Sequence, residues 1–453
     1  MKVRDNMKKA ETLAEVCVTC RYFALDNDDL LKFYVDTSAA RGKNIIESLT
    51  SYFNVLPEVF KQVLCLGHAG CGKSTMFYQL ERRLNSSYNV IRFSVQDTLD
   101  MKNITFADLL CAIYQKVFEY CSPFLHDTAK LKQAYETWNS TITINRASQT
   151  SAEIGVSAEA GIGFSGKFLK LLTNLTSSLK MVAEDRTQIQ TEIKRHMPMY
   201  VDLLNELIDE CNHVLDKPIL LMIEDLEKIL NIESVTDIFV QQVGYFHKIK
   251  LNFLLTAPIS LKYSSDYRAI TQPNFSREFV YPMIAISDPV RKEQPNENAL
   301  FEYKDNEIGR AILKKIVYAR VSEGLIVDDA LELAISYSGG VIRDLLQLIS
   351  SAASDSKDLG KEKIDENDIN DAFISLQNRF HDLLRTSAIA VIKAIYKNPY
   401  GIIDDEYSTQ FFKLLKNEAI IEYNGKQWKG IHPAVLKCLE NSGETFMNTV
   451  IQN

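Results

Sequence analysis

The stretch Gly67-His68-Ala69-Gly70-Cys71-Gly72-Lys73-Ser74-Thr75 decides the fold. It follows the pattern Gly, four residues, Gly-Lys-Ser. Before it, Val63-Leu64-Cys65-Leu66 is a short apolar run, as expected of a parallel strand buried on both faces. After Lys73, the residues Met76, Phe77 and Leu80 recur at helical spacing. Glycines let backbone N–H groups turn inward and approach phosphate oxygens. The start of the helix adds the positive end of its dipole. Such a loop puts Lys73 on the β- and γ-phosphates and gives Ser74 to Mg²⁺. A chance match in an ordinary glycine turn would not come with this strand–loop–helix setting.

At 453 residues the chain has room for about two to four domains. Its formal net charge of −8 argues against coating nucleic acid by bulk charge, though a local basic groove stays open. Met1 to Ala10 is charged and no apolar segment follows, so no signal peptide is read. No stretch reaches the ~18 uninterrupted apolar residues of a membrane span. Eight cysteines are scattered without the density of a disulfide scaffold. The expectation is a cytoplasmic protein with no membrane contact. Cys17 and Cys20 form a lone CxxC without a second ligand pair, which fits small apolar residues on a helix better than zinc.

Outward from the loop, Lys8 to Tyr22 and Asn44 to Phe53 read as helices, and Phe33-Tyr34-Val35 is β-prone. Arg41, between them, is a loop charge that can touch nucleotide or solvent. Asn89 to Val95 alternates as a second strand, and Thr105 to Glu119 is helical. The next buried strand, Ile219 to Ile223, comes on the order of 120 residues later, where a βαβ unit needs only ~30. An insertion therefore spans about 124–215. Within it Ser151 to Phe164 alternates apolar with small or polar residues, as a β-hairpin-like or an extended segment would, and Lys167 to Met181 is apolar and cationic. Glu192 to Leu215 is a long amphipathic helix, with Pro198 as a kink or the true start. The insertion reads either as a packed helical subdomain or as a partner or oligomer surface.

Pro218 to Asp225 is an apolar strand ending in Glu224-Asp225. Ligands of parallel sheets lie beyond the carboxyl ends of the strands. There one acid can hold Mg²⁺ while the other orients or deprotonates the attacking water. Leu251 to Thr256 is the next strand, with the Thr256 hydroxyl at its tip. Phe279 to Ala285 reads as the fifth, with Arg277 just before it, placed to reach a neighbouring subunit's γ-phosphate. Arg268 is the runner-up for that role. Further on, Ile308 to Ala319, Val327 to Ser336 and Ile364 to Leu376 read as lid helices, the last capped by Asp365. Between them Ser338-Gly339-Gly340-Val341-Ile342-Arg343 places an arginine in the first turn of a helix, where it can sense a γ-phosphate.

The segments GHAGCGKST, PILLMIEDLEKI, NFLLTAP and SGGVIRDLL resemble P-loop ATPases of the AAA+/STAND group, within it prokaryotic relatives of replication-initiator and KAP-type ATPases. The similarity covers roughly Tyr34 to Leu376. It implies an α/β fold: a five-stranded parallel P-loop NTPase core with a helical lid, binding ATP and Mg²⁺. Residue by residue, Gly67 to Thr75 match Walker A, Glu224 and Asp225 match Walker B, Thr256 sensor 1 and Arg343 sensor 2. The order Glu224 then Asp225 reverses the usual Asp then Glu, which leaves the metal-side acid open and points to slow hydrolysis. Ser74, Glu224 and Asp225 are the expected metal-side residues.

Ala388 to Tyr396 and Glu406 to Leu415 read as helices, and Asn424-Gly425 between two β-prone runs signals a hairpin. Helices followed by a hairpin resemble a winged helix. Arg379 to Asn453 holds nine Lys/Arg against eight Asp/Glu, so a protein contact is favoured over DNA. The expected division is 1–56 as an N-terminal adenine-side segment, 57–290 as ATPase core, 305–378 as lid and 380–453 as winged helix. Chains with this loop and a large insertion resemble ATPases of bacterial anti-phage defence, which implies an ATP-hydrolysing switch that oligomerises and controls a separate effector protein. Two other readings stay open: a DNA-binding initiator or loader, and a signalling scaffold with negligible hydrolysis.

Overall fold

The computed structural model describes residues 8–21, 25, 27–56, 59–146, 163–181, 183–229, 231–264, 273–292, 300–423 and 428–444. They divide into two units, one of 50–66 and 81–279, the other of 1–49, 67–80 and 280–453.

The first of these carries the sheet. Its strands are β1 (Gln62–Gly67), β2 (Asn89–Ser94), β3 (Ile219–Glu224), β4 (Asn252–Pro258) and β5 (Arg277–Val280), in the order β2-β3-β4-β1-β5. The sheet is parallel. β1, β3 and β4 are buried along their whole length, which is why they read as unbroken apolar runs. β2, at an edge, alternates in burial and pairs with β3 so that Ser94 faces Glu224.

Between β2 and β3, the helix Phe106–Cys121 precedes the insertion, whose described residues form the helices Ala129–Arg146, Phe164–Met181, Ala183–Arg195 and Met197–Val214. An aromatic cluster joins all of these but Ala183–Arg195, with ring centroids of Trp138 4.7 Å from Tyr200 and 5.2 Å from Tyr114, and of Phe118 4.6 Å from Phe168. The expected long helix breaks at His196, and Pro198 sits in the first turn of the second piece, where its missing N–H costs nothing. The alternating segment lies outside the described residues from 151 to 162, and Phe164 opens a helix. Arg268 also lies outside them.

In the other unit, the helix Leu13–Thr19 packs along the helix Ile342–Asp358, and Ser350 donates to the carbonyl of Cys17 at 3.3 Å. Cys20 is buried, which pushes its thiol up to about 12, in keeping with a small apolar residue. Phe33 was expected in a strand and instead ends the helix Asn27–Phe33, because it buries against Leu25 and Leu30. The fifth strand also differs from expectation: it ends at Val280, not Ala285. Residues 281–285 are buried as a non-strand segment under the lid glycines. A Cβ on Gly340 would stand 1.8 Å from the carbonyl oxygen of Ile284, and one on Gly309 equally close to that of Ala285. A hairpin of β6 (Ser287–Lys292) and β7 (Leu300–Asp305), not read from the sequence, leads into the lid helices Glu307–Tyr318, Asp328–Ser338, Ile342–Asp358 and Glu366–His381. Asp365 caps the last through a reciprocal capping box. The C-terminal module follows with helices Thr386–Lys397 and Ser408–Lys416, the antiparallel pair β8 (Ile420–Tyr423) and β9 (Trp428–Ile431), and the helix Pro433–Asn441. Residues 424–427, at the expected turn, lie outside the described residues.

Candidate nucleotide site

The geometry of the loop follows from its glycines. Gly70 and Gly72 have φ of 71° and 99°, a left-handed conformation that side chains strain. The helix Lys73–Leu84 begins directly after them. Lys73 is buried, and its ammonium donates to the loop's own carbonyls, 2.6 Å to His68 and 3.3 Å to Gly67. Cys71 is buried too. Arg41, a loop charge in sequence, ends the helical turn Ser38–Arg41 and is buried against the loop. Its guanidinium donates to the Cys71 carbonyl at 2.6 Å and to the Pro282 carbonyl, and lies 4.0 Å over the Tyr281 ring.

His68 is enclosed. Its Nδ1 lies 3.2 Å from the Leu415 carbonyl, and its Nε2 accepts from the N–H of Glu422 at 2.9 Å. The second bond requires an unprotonated Nε2, so Nδ1 carries the proton and donates to Leu415. Burial, reinforced by the Lys73 ammonium, pulls this imidazole down to about 3, so it is neutral at physiological pH.

Arg343 stands in the first turn of the helix Ile342–Asp358, as read from sequence. It lies against the loop: a Cβ on Gly70 would come within 3.0 Å of the arginine's Cβ and 3.3 Å of its Cζ. Its guanidinium pairs with Glu418 and lies 3.2 Å from Asp344. Asp344, wholly buried, also takes both prongs of Arg379 at 2.9 and 2.6 Å, and His432 at 3.2 Å. Burial opposes its ionisation, but the hydrogen bonds from His432 and Arg379 hold it far below the usual carboxylate range. Burial raises Glu418 against the pull of Arg343 and Arg379.

In the unit that carries the sheet, the two acids are positioned by β2, β3 and β4. Glu224, ending β3, is buried and pairs at 2.6 Å with Arg92 of the neighbouring strand, which also holds Glu81 at 2.7 Å. Asp225 takes a left-handed φ of 71°, accepts from Ser94 at 2.6 Å and lies 2.7 Å from the Lys228 ammonium. Thr256 is buried in β4, and its hydroxyl accepts from the N–H of Leu226 at 3.1 Å, which pins the turn after the two acids. Arg277 is the exposed first residue of β5, its guanidinium 5.1 Å from the Tyr52 ring and 4.7 Å from that of Phe279.

Strand order, buried parallel runs and a glycine loop running from β1 into a helix together fix the architecture. The fold is that of an α/β P-loop NTPase. No family model matches the sequence, and no curated protein does. The chain is similar in structure to the Aeropyrum pernix ORC1 protein in complex with DNA, with 12% identity, 93% of this chain and 97% of that one covered, and a TM-score of 0.41. It is similar to the Walker-type ATPase PABY2304 of Pyrococcus abyssi at 14% identity, 92% and 98% coverage and a TM-score of 0.43. The Thermotoga maritima RuvB Holliday junction branch migration motor matches at 11% identity, 94% and 99% coverage and a TM-score of 0.38. Among the described residues no helix is long and apolar enough to cross a membrane.

Sequence reading missed Arg92, Asp344 and Glu418. Arg92 had a signal, as a charged residue amid the second strand's apolar positions. Glu418 pairs with an arginine 75 positions away and has no local signature.

Proposed function

We propose that this chain is an AAA+-like ATPase that works as a slow nucleotide-dependent switch. The observation that carries this reading is the loop itself: two left-handed glycines, a lysine at the helix start, and Arg41 and Arg343 packed on it. These residues fit a polyphosphate. Gly67, His68, Ala69, Gly70, Cys71 and Gly72 supply backbone to cradle it, Lys73 the cation, and Ser74 and Thr75 the helix start. Bound Mg²⁺–ATP would bring the terminal phosphoryl group as the electrophile, with Ser74, Glu224 and Asp225 on the metal side. Arg92 fixes Glu224, Ser94 and Lys228 fix Asp225, and Thr256 fixes the turn that follows. With both acids engaged, slow turnover is expected. The test is single-turnover hydrolysis of radiolabelled ATP. Lys73→Ala and Asp225→Ala should each lower the rate by at least about a hundredfold; unchanged rates would remove the enzyme reading.

The switch would act through a homo-oligomer, with Arg277 offered to a neighbouring subunit, and on a separate effector of the kind found in bacterial anti-phage defence. That part extends the sequence resemblance. The DNA-initiator reading keeps a place because the C-terminal module has the helices and hairpin expected of a winged helix. ATP-dependent, salt-sensitive binding to duplex DNA would favour it. No binding at low salt with either nucleotide would eliminate it.

A further inference from the structure

The segment 415–422 meets the phosphate loop and its arginine at three points. The Leu415 carbonyl and the Glu422 N–H take the two ring nitrogens of His68. Between them, Glu418 takes the guanidinium of Arg343. Arg343 is the residue that packs on Gly70. So one short stretch holds the loop's second residue and the arginine on top of the loop together.

We propose that Glu418 stands in for the terminal phosphate of a nucleoside triphosphate, so that carboxylate and nucleotide compete for Arg343 and the C-terminal module is released when the triphosphate wins. This rests on the loop being a nucleotide site, and it assigns the regulation of that site.

Three features suit an exchange more than a fixed strut. First, Glu418 lies just beyond the helix Ser408–Lys416 at φ 61°, in the turn that ends the helix, and not within a helix or strand. Second, a carboxylate and a phosphate present the same acceptor chemistry to a planar guanidinium, so a single arginine can serve either but not both at full strength. Third, the network tolerates the loss of Arg343. Asp344 keeps both prongs of Arg379 and the His432 ring, and Arg379 also lies 3.7 Å from Glu418. Neither carboxylate is left without a cation when Arg343 turns away. A diphosphate lacks the competing group, so it leaves Glu418 in place.

The experiment is a titration of the full chain with fluorescent ATP and ADP analogues in Mg²⁺. Glu418→Gln keeps the shape and removes the charge. It should tighten triphosphate binding about tenfold and change diphosphate binding less than about threefold. Adding Arg343→Ala to it should abolish the gain. An unchanged ratio of the two affinities in Glu418→Gln would overturn the proposal while leaving nucleotide binding intact. Absence of binding by the wild type would instead remove the nucleotide site, and this proposal with it. Should Glu418→Gln fail to fold, hydrogen exchange on the wild type decides. With a non-hydrolysable triphosphate analogue the Glu422 amide, now donated to His68, should exchange at least tenfold faster than with ADP. Equal protection in both states would contradict release.

Discussion

Two arginines, Arg343 beside the phosphate loop and Arg92 beside the acids, are each paired with a buried glutamate, yet the two pairs are built differently. Arg92 reaches Glu224 from the adjacent strand, in a register set by the β2–β3 ladder. Both partners project from strands paired in the sheet. Arg343 meets Glu418 in the turn that ends a module helix, and Asp344 has other cations to fall back on. The first pair is part of the scaffold. The second can come apart. On the proposed reading, Glu224 would be a metal-side carboxylate held within the sheet and Arg343 a sensing arginine held by a removable partner, as a slow switch requires.

The comparison breaks most readily at Asp344. Asp344→Ala leaves Arg379 without its bidentate partner and strips His432 of its acceptor in a closed interior. Unfolding by denaturant should show a loss of about 3–5 kcal/mol; a loss under about 1 would mean that solvent enters the network. Arg92→Ala should cost less, about 1–3 kcal/mol, because Arg92 keeps some exposure while Glu224 loses its ion pair in a buried setting. It should also raise the single-turnover rate if Arg92 restrains Glu224.

Acid sharpens the comparison next. The folded-state imidazoles of His68 and His432 are both lowered by burial below the ordinary 6.5, His68 to about 3. A lowered group takes up its proton in the unfolded chain first. Stability from it is therefore present above pH 6.5 and is lost as pH falls from there towards 3 for His68. Each such group steepens the loss by about 1.4 kcal/mol per pH unit. His68→Gln should remove about one such increment from the slope of stability between pH 6 and 4, and an unaltered slope would place His68 in solvent. The smallest effect is expected at Arg277, which is exposed. Arg277→Ala should change stability by less than about 0.5 kcal/mol, while sedimentation with a triphosphate analogue should show weaker oligomers if the arginine serves a neighbour.

The sheet was legible because β1, β3 and β4 are buried on both faces and so spell out apolar runs. The phosphate loop was legible because its glycines must take left-handed angles. Burial misled where it did not imply a strand. Phe33 is apolar because it fills a helical corner with Leu25 and Leu30, and Ile284 and Ala285 because they are buried beneath the lid glycines. The site's own electrostatics were least legible. Lys73, Glu224, Asp225 and Arg343 could be read one by one from motif spacing. Their partners could not, since Arg92, Glu418 and Asp344 act through pairs made only when distant segments fold together.

The central claim is that residues 67–75 bind a nucleotide polyphosphate. Equilibrium titration of the full chain with a fluorescent ATP analogue and Mg²⁺ tests it most directly. Saturable binding that weakens by at least about a hundredfold in Lys73→Ala, with the variant's unfolding midpoint unchanged, is the predicted result. Equal affinity in the wild type and in Lys73→Ala would contradict it.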